Sequence, residues 1–164
     1  MLTVGEGRGT RSDMDMMTAA GVPEGWVVMP TKAFGTHVGP FYTPVGGGVE
    51  RVGFVADGRH GNKRGVVHGG MIATAFDVAL GNASWVAAGQ KPSATVQLNV
   101  HYLGAVKLGD FAEIAVTIVK KTRTLVFIRG LMMVGGEAVA SADGVWKILA
   151  WREDGKAVPT GLGI

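Results

Sequence analysis

The residues with the clearest chemical potential form one constellation, Asn62-x5-His68-Gly69-Gly70-x6-Asp77. Asp77 is the sole charged residue between His68 and Gln90, within a run dominated by Met, Ile, Ala, Phe, Val and Leu. A carboxylate among apolar neighbours is costly unless it is paired or neutral. Desolvation also makes a carboxylate a better base near neutrality. Gly69-Gly70 stands where the apolar run begins. Backbone N–H groups at a helix start lack intrahelical partners, and glycine puts no Cβ in front of them, so a developing negative charge can be received there. Asn62, upstream in a loop, can add a side-chain N–H. Together these donors are the parts of an oxyanion hole. Each residue has a plainer use as well. Asp77 can be a structural carboxylate bonded to backbone groups of a partner. The glycines can serve only a tight loop-to-helix turn. His68 fits a positioning residue bonded to loop backbone better than a proton shuttle.

Other chemistries lack their residues. Cys is absent, which excludes disulfides, a thiolate zinc site and a cysteine nucleophile. The serines are Ser12, Ser84, Ser93 and Ser141, none in a Gly-x-Ser-x-Gly elbow. There is no Walker loop and no His-Glu-x-x-His. His37, His60, His68 and His101 have no metal-ligand spacing, so no metal site is expected. Gly5-x-Gly7-x-Gly9 precedes no strand–helix unit. Asn82-Ala83-Ser84 matches a glycosylation sequon but lies inside the apolar run.

The elements that must position the constellation read as follows. Residues 1–13 form a loose tail, and Met14–Ala20 a short helix capped by Asp13 or Ser12. Strands cover His37–Thr43 and Val49–Ala56, separated by a Gly46-Gly47-Gly48 turn, and residues 57–67 form a loop. One long helix runs over Gly69–Ala88. It is apolar all round, which predicts burial, and Gly89 and Pro92 end it. Thr95–Tyr102 alternates polar and apolar, the pattern of a half-buried strand. Phe111–Lys120, Thr124–Val134 and Glu137–Leu149 follow as strands, with Gly135-Gly136 as a hairpin turn. On the last strand Ala138, Ala140, Ala142 and Gly144 form a small-sided row that lets the helix approach closely. One sheet leaves a flank of this helix open, so full burial implies a second subunit.

Size and composition agree with one folded unit. The chain has 164 residues, 47% hydrophobic and 18% charged, which excludes disorder for its bulk. A net charge of +3, without a basic run or aromatic-interleaved stripe, argues against nucleic acid as a partner. The longest apolar stretch, around 71–88, is interrupted by Asp77, Asn82 and Ser84 and falls short of the about 20 residues of a membrane span. Residues 1–15 lack the apolar core of a signal peptide, and a cytoplasmic location is expected.

Asn62–Asp77, the strand Thr95–Leu103 and the hairpin strands after it resemble the hotdog-fold acyl-CoA thioesterases, over about residues 35–150. The resemblance points to the phenylacetate-pathway (PaaI-type) enzymes and the related Arthrobacter-type 4-hydroxybenzoyl-CoA thioesterases. Gly39-Pro40-Phe41-Tyr42 is similar to that family's first strand. The implied fold is α+β, an antiparallel sheet wrapped around one long central helix, with residues 1–34 as a tail and short helix and 35–164 as the hotdog domain. The implied roles are specific. Asn62 and the Gly69 N–H polarise the thioester carbonyl, with Gly70 beside them. Asp77 of the other subunit acts as general base on a water, or as nucleophile, and Thr95 helps hold that water. His68 orients the Asn62 loop. Lys121-Thr122-Arg123-Thr124 falls where relatives often carry Gly-Arg-Thr, so Arg123 and Thr124 are implied to touch CoA, although Thr122 replaces the glycine. No cofactor is implied, CoA being part of substrate and product. The implied assembly is a homodimer or a dimer-of-dimers tetramer. Three other readings stay open: a hotdog hydratase or dehydratase, which would want a helix His that is missing, a non-catalytic acyl-CoA binding or sensing protein, and a structural homodimer whose Asp77 only joins the subunits. The acyl group, aryl or medium-chain, is not legible.

Overall fold

In the computed structural model, residues 21–48 and 50–150 are described. The tail and the short helix expected before Gly21 lie outside them, as do residues 151–164. Seven strands form one antiparallel sheet: β1 (Trp26–Met29), β2 (Phe41–Pro44), β3 (Arg51–Val55), β4 (Ser93–Tyr102), β5 (Phe111–Lys121), β6 (Leu125–Val134) and β7 (Glu137–Ile148). Their spatial order is β1-β2-β3-β5-β6-β7-β4. The helices are α1 (Phe34–Val38) and the 19-residue α2 (Gly69–Ala87). Between β3 and α2 lies one 3₁₀ turn, Gly58–His60. The helix leaves the chain between β3 and β4, and the sheet curls around it. This is the hotdog arrangement.

Why the sheet closes on α2 is legible in side-chain size. Phe76, Ala79 and Leu80 are fully buried against Ile114, Ile128, Met132 and Val126. Ala140, Ala142 and Gly144 of β7 lie under the helix as the small-sided row required, while Ala138 is exposed because the ladder slips between Met132 and Met133. A Cβ on Gly130 would sit 3.0 Å from both Phe76 and Leu80, so β6 too relies on a missing side chain. Gly135 and Gly136 turn β6 into β7 with φ of 57° and 90°, the left-handed backbone such hairpins need.

Two expectations need correction. The strand assigned to His37–Thr43 begins only at Phe41, because residues 34–38 form α1. Trp26–Met29 is a strand although it lies in the stretch read as tail: four residues between Gly25 and Pro30 are too few to show a period.

Helix α2 is not buried all round within one chain. Met71, Ile72, Ala75, Phe76, Ala79, Leu80, Ala83 and Ser84 face the sheet. Asp77 is exposed, and so are Trp85 and Val86, at 41% and 43%. Edge strand β4 lies on this side of the sheet and, among the described residues, is hydrogen-bonded to β7 alone; its Val96 and Tyr102 are exposed, as is Leu103 just after it.

Candidate active site

The loop before α2 is a tight hairpin. The Asn62 N–H donates to the Val66 carbonyl and the Gly65 N–H to the Asn62 carbonyl, with Gly61 and Val67 bridged. The Asn62 Oδ1 accepts the Arg64 N–H at 2.7 Å. An N–H can only donate, so this bond fixes the amide orientation and leaves Nδ2 as the outward donor. His68 is the N-cap of α2: its Nδ1 accepts the Gly70 N–H at 2.8 Å. The side-chain hydrogen bond of His68 thus reaches Gly70 and not the Asn62 loop. The two glycines divide. The Gly70 N–H is taken by the cap, whereas the Gly69 N–H has no acceptor among the described residues. Tyr102 donates its hydroxyl to the Gly69 carbonyl at 3.1 Å, and its ring lies 3.3 Å from where a Cβ on Gly69 would stand. Asn62, His68 and Gly69 line one open cleft of about 800 Å³ with Gly61, Lys63 and Arg64.

Asp77 lies elsewhere. Eight residues along a helix rise about 12 Å, so Asp77 is two turns from Gly69 on the exposed flank. Its Oδ1 accepts the Thr95 hydroxyl at 2.7 Å. A bulge in β4 makes this possible. Residues 98, 100 and 102 share the helix face with their β7 partners Gly144, Ala142 and Ala140. Strict alternation would carry Val96 to that face and turn Thr95 away. The register shift between Thr95 and Gln97 instead pairs Thr95 with Trp146, which is fully buried under the helix. The sequence shows the alternation and hides the slip.

Arg123 and Thr124 sit in the β5–β6 turn. The Thr122 hydroxyl oxygen accepts the Leu125 N–H, and the Ile148 N–H donates to the Thr124 carbonyl. Ile148 pairs with Ser93, so this turn lies at the Thr95 end of β4, opposite the Tyr102 end that holds Gly69. One chain therefore presents two groups: Asn62, His68 and Gly69 at one end, and Asp77, Thr95 and the Arg123 turn at the other. Among the described residues no three His, Asp or Glu side chains converge as metal ligands.

Sequence reasoning missed four contributors. Lys63 and Arg64 bring two cations to the cleft. Tyr102 holds Gly69 from the far end of β4. His60, which has no ligand spacing in sequence, holds the start of the loop. The Tyr102–Gly69 and His60–Val38 contacts join segments 33 and 22 residues apart and do not follow from local spacing.

A thioesterase superfamily model matches residues 64–141. A Pseudomonas aeruginosa protein proposed to be an esterase is 32% identical over 93 residues, 56% of this chain and 69% of that protein. The chain belongs to the thioesterase superfamily. A mouse acyl-coenzyme A thioesterase is 33% identical over 69 residues, 42% of this chain, and the match spans about half of that relative's own length, 49%. Among solved structures, a Bacillus halodurans protein with CoA aligns with a TM-score of 0.55 at 26% identity, covering 61% of this chain and 67% of that one. Thioester hydrolysis is the chemistry of this family.

Proposed function

We propose that the protein hydrolyses the thioester of an acyl-CoA in a site shared between two copies of the chain. In this reading the Asn62 Nδ2 and the Gly69 N–H hold the thioester oxygen. Asp77 of a second copy takes a proton from water as the water oxygen attacks the carbonyl carbon, and Thr95 keeps that carboxylate in place. The tetrahedral oxyanion collapses, the C–S bond breaks, and the CoA thiolate leaves with a proton. Asp77 acting as nucleophile is the variant of the same site. The observation that carries the reading is the separation itself: the oxyanion donors and the acid occur on one chain but two helical turns apart, each incomplete. The exposed flank of α2 and the single-sided pairing of β4 supply a surface for the second copy.

Lys63 and Arg64 line the donor cleft and offer cations to the CoA phosphates. Arg123 would approach from the copy that supplies Asp77, since it shares that end of the sheet. The mouse relative named as an acyl-CoA thioesterase and the Bacillus structure with CoA support the substrate class. The reaction as written needs no resident cofactor. Native mass in solution distinguishes the proposed dimer from a tetramer of two such dimers.

Thiol release from a panel of phenylacetyl, hydroxybenzoyl, short-chain and long-chain CoA esters tests this. Wild type is expected to release thiol and Asp77→Asn to stay silent with an unchanged circular dichroism spectrum. Full activity in Asp77→Asn sinks the assignment of the acid. A silent wild type that still binds CoA esters makes the protein a binding module.

A further inference from the structure

The cleft loop is held from beneath by one buried side chain, His60, at 4% exposure. Its ring nitrogens both meet backbone. Nδ1 accepts the Asp57 N–H at 3.1 Å, and Nε2 lies 2.9 Å from the Val38 carbonyl oxygen. An N–H must donate and a carbonyl must accept, so the ring is the neutral tautomer with its proton on Nε2. The same residue's carbonyl accepts the N–H of His68, the cap of α2, at 2.7 Å. His60 thereby joins three segments: the end of α1, the 3₁₀ turn and the first residue of the α2 cap. Its neighbour Arg59 fastens the same joint with N–H bonds to the carbonyls of His37 and Gly39 at 2.8 and 2.7 Å, and Phe54 meets the imidazole edge-on with centroids 5.6 Å apart.

The geometry points to His60 as a positioning residue that sets the distance between the Asn62 Nδ2 and the Gly69 N–H. This rests on the acyl-CoA reading above. Asn62 lies two residues after His60, and Gly69 follows the residue whose N–H the His60 carbonyl receives. Both donors are thus referenced to one buried ring, although neither touches it. Donors of this kind act on charge that develops in the transition state, so a displacement of a few tenths of an ångström lowers kcat more than it raises KM.

Three variants separate bonding from bulk. His60→Phe fills the site without a polar atom, His60→Ala empties it, and His60→Gln retains an N–H for the Val38 carbonyl. Thiol release by His60→Phe is expected to show kcat lower by about tenfold or more with KM within about twofold, and His60→Gln to recover most of that loss. Adding His60→Phe to Asn62→Ala is expected to cost less than it costs wild type, because the donor it positions is already gone. Amide hydrogen exchange gives a readout independent of turnover: residues 61–70 are expected to exchange faster in His60→Phe, with β5–β7 unchanged. Unchanged exchange in the loop overturns the proposal whether or not the protein is a thioesterase. So does a kcat loss fully additive with Asn62→Ala. A wild type without turnover, whose loop exchange nevertheless responds to His60→Phe, refutes the thioesterase reading, and with it the effect on kcat, while leaving the anchor in place.

Discussion

At the residue scale, each candidate site residue is held by a bond that its type alone does not announce. Asn62 is oriented through its own Oδ1, Gly69 through Tyr102, and Asp77 through a hydroxyl delivered by the bulge at Val96. Asp57 shows what a charge adds to such a joint. It caps the 3₁₀ turn and pairs with Arg59 at 2.7 Å. The Arg59 side chain, its backbone N–H and its charge hold the Asp57 carboxyl below its ordinary value of 3.8, against the opposing effect of burial. The folded state therefore gives up this proton more readily than the unfolded state. The stability gained is complete above the unfolded value near 3.8 and is lost as pH falls through the lower folded value. Asn at position 57 can still cap a turn, so Asp57→Asn isolates the charge. Urea midpoints for wild type and Asp57→Asn should differ at neutral pH and converge as the pH falls below that of a free aspartate. A gap that stays constant through the acid range would rule this out.

At the scale of elements, α2 and β7 meet through missing side chains. Trp146 lies fully buried between them, opposite Thr95 in the ladder. A Cβ on Gly144 would stand 2.6 Å from the Trp146 ring and 2.7 Å from the Gln97 carbonyl oxygen, so something must shift. A Cβ on Gly81 of α2 would meet the indole Nε1 at an ordinary 3.5 Å. The two glycines should thus respond oppositely to alanine. Gly144→Ala is expected to destabilise by about 1–3 kcal/mol through overpacking. Gly81→Ala is expected to be neutral or to gain up to about 1 kcal/mol from helix propensity. Denaturant unfolding of the two variants checks the pair, and equal losses would mean that the helix has no slack at Gly81.

At the scale of the whole molecule, the single chain is an incomplete enzyme in the proposed reading. Its donors and its acid face outward at opposite ends of β4, and the strand's free edge and the flank of α2 lie exposed between them. A shared site has a consequence that a self-contained one lacks. Asp77→Asn, silent alone, and Asn62→Ala, lower by about 100-fold or more alone, should complement when co-expressed, because a mixed dimer contains one site with both groups intact. Random pairing would restore about a quarter of wild-type thiol release. Mixed dimers confirmed by mass that stay silent would place the acid and the donors of each site on one chain.

The sequence alone determined the order of β2 to β7 and the long helix between β3 and β4, because period and glycine placement are local signals, and it singled out Asn62, His68, Gly69 and Asp77, which the fold places in two groups. It did not determine β1 or α1, which are too short to show a period, nor which glycine N–H stays open, since His68 takes that of Gly70. It suggested burial for Asp77, whereas the fold leaves that carboxylate on an exposed flank. The face of Thr95, the anchor at His60 and the grip of Tyr102 on Gly69 were decided only by the tertiary structure. Each is a contact between segments distant along the chain, and such contacts are fixed by sheet register and packing rather than by the identity of near neighbours.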